Sequence, residues 1–150
     1  MAEFLFYHLE RQPLENVLPR LLEMSLGRGW RVLVRAASDE RVEALDAFLW
    51  TYREDSFLPH GTARERDAAD QPVLLSAAEG NPNKATVCFL VDGAAPPEDA
   101  TAYDRLVLLF DGTDDEAVAN ARSPWREASA QGFAVTYWQQ NDEGRWEKRA

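Results

Sequence analysis

The chain has 150 residues, 45% of them hydrophobic and 28% charged, with no low-complexity stretch; this predicts one globular domain over residues 1–150, not a disordered or repeat protein. Its formal charge is −10, from 26 acidic and 16 basic residues, which disfavours capture of a nucleic-acid backbone by the surface as a whole. One cysteine excludes an internal disulfide. The N-terminus lacks a signal-peptide pattern and no run approaches the roughly 18 apolar residues of a membrane span, so a cytoplasmic protein with no membrane partner is expected.

In chain order, Phe4-Leu5-Phe6-Tyr7-His8-Leu9 is short, aromatic-rich and apolar, and predicts a first strand. Pro13 can open a helix whose face is Leu14, Val17, Leu18, Leu21, Leu22 and Ser25. Pro19 falls inside it, so the helix either kinks there or begins with an irregular turn. Gly27 and Gly29 end it, and Trp30 to Val34 predicts a second strand. Ser38 can cap the next helix, with Val42, Leu45, Phe48, Leu49 and Tyr52 on its apolar face. His60 reads as a turn residue, and Thr62 to Gln71 as a polar loop. Three apolar runs follow, Pro72 to Ala77, Thr86 to Val91 and Leu106 to Phe110, without alternation, which suits strands covered on both faces. Cys88 lies in the second run and reads as a core residue. A helix from Asp114 to Gln131 starts acidic and stops at Gly132. Phe133, Val135 and Tyr137 alternate as a strand, and the tail around Trp146 can pair back as an edge. Strands alternating with helices predict an α/β fold, a Rossmann-like, mostly parallel sheet with helices on both faces.

Chemistry is scarce. The turn after the first strand, Leu9-Glu10-Arg11-Gln12-Pro13, has no glycine to let amides approach a pyrophosphate, and no Gly-x-x-x-x-Gly-Lys loop exists. The histidines, His8 and His60, are far apart and no Cys or His is spaced for zinc, so no catalytic residue, metal or cofactor is expected. His8 reads as a hydrogen-bonded residue at a strand end. Asp92-Gly93 and Asp111-Gly112 both follow apolar strands, so both carboxylates belong at the carboxyl edge of the sheet. Two readings stand for them: ordinary Asp-Gly turns, or a Mg²⁺ site of a phosphohydrolase. A small-ligand sensor of the same fold is a third possibility.

Two surfaces carry residues that a core does not need. On a 100° helical wheel Trp50 lies off the stripe that holds Leu45 and Leu49, and Phe57-Leu58-Pro59 follows closely; together they form a patch for a protein partner, unless loops fold over Trp50. Arg122 and Arg126 are four apart on one helical face with Trp125 beside them. They make either a receptor for an acidic peptide ending in an aromatic residue, or solvated arginines beside a core tryptophan.

Leu45-Asp46-Ala47-Phe48-Leu49-Trp50-Thr51-Tyr52 followed by Ser56-Phe57-Leu58-Pro59-His60-Gly61 resembles the signature of the chi subunit of bacterial DNA polymerase III. The opening strand, Gly29 to Val34, Gly80-Asn81-Pro82-Asn83 and Gly132-Phe133 are similar to that family as well, so the resemblance covers nearly the whole chain. It implies a non-catalytic accessory subunit of the clamp-loader complex. Its implied partners are the acidic C-terminal tail of single-stranded DNA-binding protein and a psi subunit or other clamp-loader component, with nucleic acid reached only indirectly. By position, Trp50, Phe57, Leu58 and Pro59 match the psi side, and Arg122, Trp125 and Arg126 the tail-binding helix. Three departures are present: Pro124 can split that helix with Ser123 capping the second piece, and Asp111 and Val118 stand where the family carries an apolar and a basic residue.

Overall fold

Short apolar runs that do not alternate can be stable only if both of their faces are covered, and the chain covers them with helices moving in opposite directions. The computed structural model describes residues 2–10, 12–52, 59–62, 67–97, 100–141, 143 and 145–149. The strands are β1 (Glu3–Leu9), β2 (Val32–Arg35), β3 (Gly61–Thr62), β4 (Val73–Ser76), β5 (Val87–Leu90), β6 (Arg105–Asp111), β7 (Ala134–Gln140) and β8 (Trp146–Lys148). Between them run α1 (Leu14–Gly27), α2 (Asp39–Thr51) and α3 (Asp115–Ala130). The strands join into one sheet of order β3-β4-β2-β5-β6-β1-β7-β8, parallel at every pairing but β7–β8. The α/β, Rossmann-like expectation holds, and the tail does pair back as an edge.

From β1 the chain crosses β6 and β5 to reach β2, carrying α1, and continues outward with α2. From β6 it turns the other way, over β1 to β7, carrying α3. A constant crossover hand therefore puts α1 and α2 on one face and α3 on the other. The two buried clusters follow this division. One joins Val17, Leu18 and Leu22 of α1 and Val42, Leu45 and Leu49 of α2 to Val32, Val34, Phe89 and Val107. The other joins Ala121 and Ala128 of α3 to Phe4, Phe6, Leu33, Leu108 and Cys88. Each large aliphatic buried this way contributes about 1.5–3 kcal/mol.

Helix ends match their local chemistry. Ser38 Oγ accepts from the Arg41 amide at 3.3 Å, and an Asp114 oxygen accepts from the Glu116 amide at 3.0 Å. Both α1 and α3 end in a paired backbone closure around a left-handed glycine. Trp30 N–H donates to Ser25 O with Gly29 at φ +78°, and Phe133 N–H donates to Ala128 O with Gly132 at φ +89°.

Two expectations need correcting. Pro124 does not split its helix; α3 is continuous from Asp115 to Ala130, and the proline removes one N–H donor without ending the run. Pro19 lies inside α1, which is helical from its first turn at Leu14, and its ring is buried. His60, expected as a turn residue, is only 3% exposed and leads into β3, a two-residue strand that pairs with β4 and takes in the first residue of the expected loop.

Candidate functional site

The crevice where neighbouring strands send their chains in opposite directions lies between β1 and β6. A cavity of about 1040 Å³ opens there at the carboxyl ends of β1, β5 and β6, bounded by the first turn of α1 and by α3 from Glu116 to Glu127. Asp92 and Asp111 do line it, as expected from their places after apolar strands. Each already has work inside the fold. Asp92 accepts from Arg41 Nε at 2.9 Å, and Arg41 also approaches Glu15 at 3.7 Å, so one guanidinium ties α2 to the end of β5 and to α1. That carboxylate holds the Arg41 pKa above its ordinary value. Asp111 Oδ1 accepts from the Thr113 hydroxyl at 2.6 Å and the Thr113 amide at 2.9 Å, bonds that keep its carboxyl below the usual aspartate range. Among the described residues the other charged groups on the lining are Glu10, Glu15, Asp114, Glu116 and Glu127, a carboxylate-rich wall that disfavours phosphate-bearing ligands. No group of three or more His, Cys, Asp or Glu among the described residues is arranged to hold a metal ion.

Above this crevice an aromatic scaffold supports α3. The Trp125 indole stands edge-on to Phe6 at 5.1 Å and to Tyr137 at 6.0 Å between ring centroids. Trp125 is half-buried, so it is part core residue and part surface, between the two readings that its position allowed. Tyr137 in turn meets the ring of His8. His8 Nε2 donates to Glu10 Oε1 at 2.9 Å, which leaves Nδ1 to accept from the Tyr137 hydroxyl. Burial, and then the Glu10 carboxylate, push the Tyr137 pKa up, so the phenol remains a donor at neutral pH. His8 is thus the hydrogen-bonded strand-end residue its place predicted. The ring lies directly over Gly112: a Cβ there would overlap its Nε2 and Cδ2 and stand 2.8 Å from Cε1.

Arg122 and Arg126 are both exposed, one turn apart on α3, and neither has a carboxylate partner among the described residues. Trp125 lies between them in sequence but turns toward the sheet. The arrangement therefore presents two free guanidinium forks at the rim of a half-buried aromatic surface.

The second surface sits on α2. Trp50 is 50% exposed, while Leu45 and Leu49 are buried, as the helical wheel predicts. Its ring packs on His60 at 4.4 Å between centroids. His60 Nε2 is hydrogen-bonded to Asp46 O at 3.2 Å and lies 3.1 Å from Asp46 Oδ1, so a buried imidazole braces the indole from below. Pro59 is partly buried beside it; Phe57 and Leu58, expected in the same patch, lie outside the described residues. The Gly80-Asn81-Pro82-Asn83 segment is a structural brace. Asn81 closes its loop with both side-chain atoms on Ala85, and buried Asn83 donates to Val32 O at 3.0 Å and Gln71 O at 3.1 Å.

A third feature was not foreseen. The Trp30 indole is approached by two guanidiniums, Arg28 at 5.0 Å and Arg105 at 4.8 Å from its centroid, and shares a groove with Met24, which is 55% exposed. Only the α1 wheel hints at it, since Met24 falls about 20° outside Val17 at the margin of the buried stripe. No helix among the described residues is long and apolar enough to cross a membrane.

Residues 1–136 match the family described as DNA polymerase III chi subunit, HolC. A probable DNA polymerase III subunit chi from Rickettsia prowazekii (strain Madrid E) is 28% identical over 91 residues, covering 61% of this chain and 55% of that protein. The DNA polymerase III subunit chi of Pseudomonas aeruginosa is 35% identical over 64 residues, 43% of this chain and 44% of its own length. The chain spans about half the length of these curated relatives. With its match running through every helix, the sheet core and both candidate surfaces, the chain belongs to the DNA polymerase III chi subunit family.

Proposed function

We propose that this chain acts as a non-catalytic accessory subunit of the replicative DNA polymerase III holoenzyme, joining the clamp-loader complex to single-stranded DNA-binding protein. The observation that carries the proposal is the pair of exposed arginines on α3, without a carboxylate partner among the described residues, at the rim of the half-buried Trp125, on a molecule of net charge −10. An acidic tail is repelled by most of this surface and finds local cations here. Its carboxylates pair with Arg122 and Arg126, and its terminal phenylalanine packs near Trp125 and the rings beneath it. Each exposed ion pair is worth about 1 kcal/mol or less and is screened by salt, so the buried ring supplies most of a micromolar affinity, about −8 kcal/mol. The Trp50 surface takes the other partner, a psi subunit or another clamp-loader component, through a large exposed indole fixed in orientation by His60.

The test is retention of purified clamp loader on beads carrying single-stranded DNA coated with its binding protein. Retention should require this chain, and should be lost both in the Arg122→Glu/Arg126→Glu variant and, separately, in Trp50→Ala. Retention that is unchanged in both variants refutes the bridging role.

A further inference from the structure

We propose that the groove between the last turns of α1 and the face of β1, β6 and β7 is a further docking site, for an acidic segment of a partner protein that carries one large apolar side chain. It is remote in the fold from α3, which covers the opposite face of the sheet, and it does not include Trp50.

The groove encloses about 490 Å³, enough for one large side chain. Its floor is the sheet, with Leu5, Val107 and Thr136. One wall is Leu21 and Met24 of α1, the other Trp138 of β7. Met24 and Trp50 are the large hydrophobic residues that stand exposed among the described residues, and Met24 alone of the two borders this groove. A methionine at the mouth of an apolar cleft is adaptable and polarisable, suited to receiving an aromatic or leucine side chain.

Charge selects the occupant. The lining holds Arg28, Arg105 and Lys148 against one carboxylate, Glu3, on a chain whose net charge is −10. Glu3 is already engaged by Arg105 at 2.7 Å. Arg28 and Lys148 have no carboxylate partner among the described residues. Arg28 and Arg105 lie over the Trp30 ring, which fixes their heads and lowers the entropy lost when they pair with an anion. A local excess of cations on an acidic body both attracts an acidic partner and rejects a basic one.

Single-stranded nucleic acid shares the anionic chemistry but fits less well. Its non-specific binding depends on open aromatic platforms for bases. Here two guanidiniums already lie against the Trp30 ring, and Trp138 leans on Tyr7 with its Nε1 donating to Thr136 Oγ1 at 2.9 Å. The rings serve as walls, not platforms.

The probe is an N-acetylated, C-amidated peptide with the sequence Asp-Asp-Leu-Phe-Asp-Asp, titrated into the isotope-labelled full chain and followed by NMR. Blocking its carboxyl terminus separates this site from one that needs a free chain end. The expected result is saturable shifts of the Trp30 and Trp138 indole N–H groups and the Met24 methyl. Arg28→Glu with Lys148→Glu should weaken binding about tenfold, and Met24→Asp should weaken it too, while Arg122→Glu/Arg126→Glu leaves it unchanged. The two basic positions are on the surface, so these variants should fold, which the undisturbed spectrum of α3 verifies. Shifts confined to α3, no saturable shift, or tighter binding of an oligo-dT to the same groove would each overturn the proposal.

Discussion

Gly112→Ala places a methyl group where the His8 ring now lies. The backbone does not forbid it, since Gly112 is not among the positive-φ residues, so the cost comes from the ring. To make room, the imidazole must leave its bonds to Glu10 and Tyr137 and its edge contacts with Phe110 at 5.2 Å and Tyr137 at 5.8 Å. Two hydrogen bonds at about 1 kcal/mol each, one of them solvent-exposed, and ring contacts at about 0.5–1 kcal/mol give a loss of about 2–3 kcal/mol. The reduced freedom of the unfolded chain returns about 0.5 kcal/mol. For a domain of this size the melting temperature should fall by about 5–8 °C. The decisive assay is a double-mutant cycle by chemical denaturation, adding Gly112→Ala to wild type and to His8→Ala. With the ring removed, the second substitution should cost almost nothing. An equal cost in both backgrounds would show that the steric argument is wrong and that the His8–Tyr137–Trp125 scaffold is not assembled as described.

Other expectations follow from the same geometry. Asp114→Ala removes the cap of α3 and should lower stability by about 1 kcal/mol in a denaturant melt, without moving residues outside that helix. Trp50→Ala should leave a folded protein, because half of the ring is already in water, yet abolish co-purification with a clamp-loader partner; unfolding instead would assign Trp50 to the core. For Asp111 the sign is set by its depressed pKa: the Thr113 bonds add stability above the ordinary aspartate pKa, and that addition is lost as pH falls through the lowered value. The stability gap between wild type and Thr113→Val should therefore be present at neutral pH and shrink in acid, and a gap that widened in acid would contradict it.

Much of the fold could be read from pattern because each signal was local. The runs around Val73, Cys88 and Leu108 were apolar without alternation, and Ser38, Asp114 and Gly132 stand where helix chemistry requires them. The helical wheel placed Trp50 in solvent for the same reason. Pro124 misled because a proline removes one helical hydrogen bond, whereas packing of the rest of the helix against the sheet keeps the whole run helical. His60 looked like a turn residue since nothing in Pro59-His60-Gly61 signals burial; its place is set by Asp46 and Trp50 on a different element. Trp125 was legible as an aromatic beside two arginines, but its lean toward Phe6 and Tyr137 depends on strand register. The Met24 groove draws on residues more than one hundred positions apart, and only the pairing of β1 with β6 and β7 brings them together.

The central claim is that α3 receives an acidic, phenylalanine-ended tail through two guanidiniums. Isothermal titration of the tail peptide of single-stranded DNA-binding protein into the full chain, at low salt and again near 0.3 M, tests it most directly. Micromolar binding that weakens about 5–30-fold in Arg122→Ala/Arg126→Ala at low salt, with the gap closing as salt rises, is the predicted result. Equal affinity of wild type and variant at low salt would contradict it.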